Sequence, residues 1–140
     1  MPRSKELTVA IPDKPGALAD CLRVLAEQGV NVIGFQSFVE EGESLARFLV
    51  DDVAGATKAL GNHRMIFEVT EVVVTKLQHR PGELARVASC LGEQKINVNY
   101  CYCGREAGSG STLALAVFGV DNLPKAVTAL DQLAAQNSGD

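Results

Sequence analysis

The chain repeats itself. Residues 13–32 and 79–98 align without gaps at an offset of 66, and nine of the 20 pairs are identical. Pro15/Pro81, Gly16/Gly82, Leu18/Leu84, Leu25/Leu91, Asn31/Asn97 and Val32/Val98 are among them. Further on, Val50-Asp51 aligns with Val120-Asp121 at an offset of 70, so the second copy carries four extra residues. Composition places them in the Gly- and Ser-rich stretch 104–111, a loop. Any fold for this chain must therefore be built twice. The copies predict two small domains, 1–70 and 71–140, each near the size at which a lone core is marginal.

Each copy reads as the same succession of elements. Leu7–Ile11 alternates like a strand, and Pro12 and Pro15 end it. Leu18, Cys21, Leu22 and Leu25 then recur at helical spacing, and Gly29 closes that helix. Val30–Phe35 is extended, Glu41-Gly42-Glu43 is a turn, and Leu45–Val50 is a third strand with Ala46, Phe48 and Val50 on one face. Residues 54–60 suit a short helix and Met65–Val69 a fourth strand. The second copy predicts a strand at 72–77, a helix at 82–94 with the stripe Leu84, Val87, Ala88 and Leu91, strands at 96–103 and 112–120, and a helix at 123–135. The order βαββαβ predicts an α+β fold, two split-βαβ sandwiches with helices on one face of an antiparallel sheet. Residues 136–140 are polar where the first copy has Met65–Val69, so the second unit is expected to lack its last strand.

Composition excludes several functions. Thirteen basic against 17 acidic residues give a net charge of −4, which offers no general attraction to nucleic acid or an anionic membrane. Aromatic residues are 5%, too few for the base-stacking platform of an RNA-binding module. Apolar runs fall short of a membrane span, and residues 1–6 lack a signal peptide's apolar core. A cytoplasmic setting is the expectation, with Cys21, Cys90, Cys101 and Cys103 as reduced thiols.

The string Asp13-Lys14-Pro15-Gly16-Ala17-Leu18-Ala19, followed by Gly29-Val30-Asn31-Val32, resembles the ACT-domain signature. Pro81-Gly82-Glu83-Leu84 and Ile96-Asn97-Val98 match it a second time. The resemblance implies ferredoxin-like units in tandem and a stand-alone sensor or regulatory protein. Its ligand would be a small molecule, an amino acid by preference, and it would work as a homodimer. It further implies a site at the loop between first strand and first helix. There Gly16 or Gly82 lets the backbone approach a ligand, and free N–H groups at the helix start favour a carboxylate. The candidate ligand-binding residues are Asp13, Lys14, Pro15, Gly16, Ala17, Leu18 and Asn31 in the first copy, and Arg80, Pro81, Gly82, Glu83, Leu84 and Asn97 in the second. Asp13-Lys14 becomes His79-Arg80, so the two loops are expected to bind unequally, the second being the one to degenerate.

The same residues carry plainer readings. Pro-Gly at a helix start is an ordinary turn, and Asn31 and Asn97 can cap a turn through local bonds. Cys101 and Cys103 share one strand face, but zinc sites use four ligands and no second cysteine pair exists, so structural thiols are expected and no metal or cofactor. No Gly-x-Ser-x-Gly elbow, P-loop or paired histidines point to catalysis, so no enzyme is expected. The alternative function is a protein-interaction subunit of an amino-acid-metabolism enzyme, with its ligand site vestigial.

Overall fold

The computed structural model describes residues 3–105 and 114–138, with the side chains of 137 and 138 outside the description. The chain divides into two compact units, Lys5–Thr70 and a second that begins at Glu71 and takes in Arg3 and Ser4. Among the described residues there are six strands and four helices, an α+β fold.

In the first unit β1 (Arg3–Ile11), β3 (Glu43–Val50) and β2 (Val32–Glu40) pair antiparallel in that order. The residue just before β4 (Phe67–Leu77) joins β1 from the other side, the Ala10 N–H donating to the Ile66 carbonyl at 2.9 Å. The helices α1 (Ala17–Glu27) and α2 (Val53–Asn62) pack beside each other. The register Leu7↔Phe48↔Phe35 and Val9↔Ala46↔Ser37 defines one sheet face. Leu7, Val9, Ala46, Phe48 and Val50 on that face close over Cys21 and Leu25 of α1 and Ala56 and Leu60 of α2. This is the alternation of β3 meeting the helical stripe of α1, and the expected core face is the observed one.

The second unit repeats the plan. β4, β6 (Ala114–Val120) and β5 (Val98–Arg105) pair antiparallel, with α3 (Glu83–Glu93) packed beside α4 (Leu123–Ser138). Val73, Ala116 and Phe118 pack on Val87 and Leu91 of α3 and Ala126 and Leu130 of α4. Even the irregularities recur: a register shift falls between Val32 and Gly34 on β2 and again between Val98 and Tyr100 on β5. One unpaired residue, Ile33 or Asn99, bends the strand at the same place in each unit.

Four expectations need correction or refinement. The two strands expected at 65–69 and 72–77 are one strand, β4, because Thr70 and Glu71 between them contain no breaker and extended Val-rich chain continues through. The α3 stripe is incomplete: Val87 and Leu91 are buried, but Leu84 is 42% exposed and Ala88 is exposed, while Glu83 is buried instead. The last helix runs to Ser138 rather than 135, so residues 136–138 are helical where the first copy has its strand-forming run. Of the expected loop 104–111, Gly104 and Arg105 belong to β5, and 106–111 lie outside the described residues.

A compensating exchange separates the copies. Gly34 of β2 faces Leu49 of β3, whereas Tyr100 of β5 faces Gly119 of β6 at the matching positions. A Cβ on Gly119 would overlap the Tyr100 ring, so the ring lies directly over bare backbone. That ring stacks in turn on Tyr102, with centroids 6.5 Å apart. Large and small residues have changed places across one strand pair.

Candidate ligand site at the strand–helix loops

The two loops that follow β1 and β4 share one backbone. In the first, Lys14 N–H donates to the Pro12 carbonyl at 3.0 Å, Ala17 N–H to Lys14 at 3.3 Å and Asp20 N–H to Gly16 at 3.0 Å. In the second, Arg80 N–H donates to Gln78 at 2.9 Å, Glu83 N–H to Arg80 at 3.3 Å and Arg86 N–H to Gly82 at 2.9 Å. Gly16 and Gly82 are the N-cap residues of α1 and α3, with φ of 87° and 83°. This left-handed conformation strains any residue with a Cβ, so glycine is required for the turn itself. A glycine N-cap also brings no side-chain oxygen to the first helical N–H groups, which leaves them to other acceptors.

The loops differ in what lies beneath them. In the first, Asp13, Lys14, Pro15 and Gly16 are exposed, Leu18 is half-buried against the core, and Ala17 presents a buried methyl. In the second, the position matching Ala17 holds Glu83, only 5% exposed. Its carboxylate accepts from Arg80 Nε at 3.1 Å and from Arg86 Nη2 at 2.9 Å. The two guanidiniums, Arg86 foremost, hold the Glu83 carboxyl well below the usual 4.5, at about 2, against the opposing effect of burial. A cleft of about 180 Å³ remains beside this cluster, bordered by Leu77, His79, Arg80, Leu84 and Ala114. A larger groove of about 450 Å³ lies between α3 and α4; Arg86 reaches it, but no residue of 78–82 does.

Asn31 and Asn97 are not part of either loop. Ile11, at the loop end of β1, faces Ser44, whereas Asn31 meets Asp51 seven residues further along. At strand rise that separation is roughly 20 Å. Asn31 donates its backbone N–H and its Nδ2 to the two Asp51 carboxylate oxygens at 2.9 and 3.1 Å, and its carbonyl accepts from Asp51 N–H. Asn97 donates its N–H to Asp121 Oδ1 at 3.1 Å and its Nδ2 to Asn99. Both asparagines tie the start of a strand to the end of its neighbour. These bonds run across 20 and 24 residues of sequence rather than within the turn that each asparagine was expected to cap; only the Asn97–Asn99 bond is local.

Arg86 joins the Glu83 cluster although it is not among the candidate site residues. Its signal was present in the spacing Arg80-x-x-Glu83-x-x-Arg86, which places both cations three residues from one carboxylate across a helix start. The cysteines do not converge on a site. Cys21 is buried, and burial pushes its thiol up to about 11. Cys90 donates to the Ala129 carbonyl at 3.7 Å, and Cys101 faces Phe118. Burial also raises the thiols of Cys90 and Cys101. Among the described residues no group of three or more His, Cys, Asp or Glu could hold a metal ion, and no helix is long and apolar enough to cross a membrane.

The glycine-capped loop between β1 and α1 sits inside a segment with known relatives. The family model of the ACT domain matches residues 5–63. That segment is similar to an ACT domain. Among solved structures, a protein from Bacteroides thetaiotaomicron superposes with a TM-score of 0.81 at 24% identity, covering 95% of this chain and 90% of its own. The ligand-free regulatory subunit of aspartate kinase from Thermus thermophilus follows at 0.61 and 19%, covering 93% and 91%. The corresponding subunit from Thermus flavus gives 0.59 and 19%, covering 94% and 92%. These likenesses establish a shared fold over nearly the whole chain. A search of curated proteins finds no significant match.

Proposed function

We propose that this protein is an amino-acid-sensing regulatory subunit, and that its ligand carboxylate docks at the loop Asp13–Leu18. The observation that carries the reading is the left-handed Gly16 at the start of α1, within the ACT-matched segment. The cap leaves helix-start N–H groups without a side-chain acceptor, and Asp13 at the loop's entrance is an anion for a ligand ammonium. We read the chain as two ACT units in tandem, the second without a last strand of its own. The repeated loop bonds, cap glycines and strand irregularities support this reading. Homodimerisation, and action on an enzyme of amino-acid metabolism, belong to the same proposal. The neighbours named as aspartate kinase regulatory subunits support it, as do Phe35 and Val39, apolar and 44% and 61% exposed on β2.

The test is thermal stability of the full chain against the twenty amino acids at millimolar concentration. A binder raises stability by RT ln(1 + [L]/Kd), about 2.7 kcal/mol at a hundredfold excess over Kd. A rise with one or a few related amino acids is expected, and it should be lost in Gly16→Val, whose φ penalty distorts the loop. No rise with any amino acid, together with co-purification of an enzyme, would favour a pure protein-interaction subunit.

A further inference from the structure

We infer that Glu83 is the second loop's own occupant, a tethered carboxylate that fills the anion position formed by Arg80 and Arg86. The second loop is thereby closed to a ligand carboxylate and the chain takes one ligand, at the first loop. This deepens the proposed function and rests on its reading of the strand–helix loop as a carboxylate site.

Three observations converge. The two loops have the same backbone bonds and the same cap geometry, so what distinguishes them is side chains. At the one position where the first loop presents a buried methyl, Ala17, the second presents a buried carboxylate, Glu83. The flanking positions change with it. Lys14 and Asp20 become Arg80 and Arg86, and both guanidiniums bond to that carboxylate at 3.1 and 2.9 Å. Asp20 in the first loop instead pairs with Arg23 in solvent.

The chemistry of the pair explains the closure. A guanidinium fork is matched to a carboxylate, and two of them beside a glycine-capped helix start form a strong carboxylate-binding arrangement. Glu83 reaches it without the translational entropy cost that a free ligand meets, so its effective concentration there is high. A free carboxylate entering the cleft beside Leu77 and Leu84 finds both guanidiniums already bonded to Glu83 and only one net positive charge left to attract it. Specificity between the loops thus comes from one side chain that competes internally, with no change of backbone.

The experiment uses the full chain as wild type, Glu83→Ala and Glu83→Gln, with sodium acetate as probe and sodium chloride of equal ionic strength as control. Thermal melts are combined with amide NMR shifts at Gly82 and Leu84. The acetate-specific rise in Tm is expected to fall in the order Glu83→Ala, Glu83→Gln, wild type, with the wild type unmoved. In Glu83→Ala acetate should recover most of the Tm lost in chloride and shift both amides. If Glu83→Ala does not fold, Glu83→Gln alone decides. A variant that responds to acetate no more than wild type overturns the inference, as does wild type taking up acetate at Gly82 and Leu84. Failure of the proposed function looks different: the variants respond to acetate, yet no amino acid stabilises the wild type.

Discussion

Replacing Glu83 with glutamine removes the charge and keeps the volume, so its effect on stability reads the ion cluster alone. A carboxyl held at about 2 instead of 4.5 corresponds to about 3 kcal/mol if none of it is lost to solvent. Some of it is lost, because the Arg80 and Arg86 side chains are 54% and 31% exposed. Screening brings the expected contribution to about 1–2 kcal/mol. The direction with pH follows from the sign of the shift. The folded-state value lies below the unfolded one, so the contribution is complete above about pH 4.5 and disappears as pH falls toward about 2. Urea unfolding of wild type and Glu83→Gln at pH 7, 4.5, 3 and 2 should therefore show a constant gap at the two higher values. The gap should close steadily below pH 4.5. Other carboxylates titrate in both proteins and cancel in the difference. A gap that stays the same down to pH 2, or no gap at pH 7, would mean that the Glu83 charge does not stabilise the fold.

Other parts of the fold give independent checks. Gly119→Leu should destabilise by about 2 kcal/mol or more through overlap with Tyr100. Adding Tyr100→Gly, which recreates the Gly34–Leu49 arrangement of the first unit, should recover much of the loss in a thermal melt. Lys95 ends α3 at φ 59°, where the first copy has Gly29 at 78°. Lys95→Gly should accordingly stabilise by about 0.5–1 kcal/mol, since it relieves left-handed strain. Glu6 is fully buried, with Arg47 Nε 3.8 Å from its carboxylate. Arg47→Met leaves that charge without its guanidinium and should cost about 2–4 kcal/mol in denaturant unfolding. Thiol labelling of the native protein should modify exposed Cys103 first and Cys21 last, because a buried thiol held near 11 yields little thiolate.

Most of the fold was legible because its signals are local and occur twice. The alternation of Ala46, Phe48 and Val50, the stripe of Cys21, Leu22 and Leu25, and the Pro-Gly turns each name an element, and the repeat at 66 residues corroborates every one. Continuity of β4 was not legible, since a boundary was expected where the copies meet and no breaker residue marks it. Glu83 stands among the candidate ligand-binding residues of the second loop, but its burial between two arginines was not legible. Hydrophobic periodicity assigns charged residues to solvent, and only the two arginines at matching spacing make its burial affordable. Asn31 was grouped with the loop because both belong to one motif in sequence. The strand register sends them to opposite ends of the sheet, and a one-dimensional motif carries no information on that distance.

A ligand carboxylate on the first loop alone can be checked by amide NMR of the wild-type chain titrated with the amino acid that stabilises it most. Saturable shifts are expected at Gly16, Ala17 and Leu18, with one ligand per chain and no movement at Gly82, Glu83 or Leu84. Equal shifts at both loops, or saturation that leaves Gly16–Leu18 untouched, would contradict binding at the first loop alone.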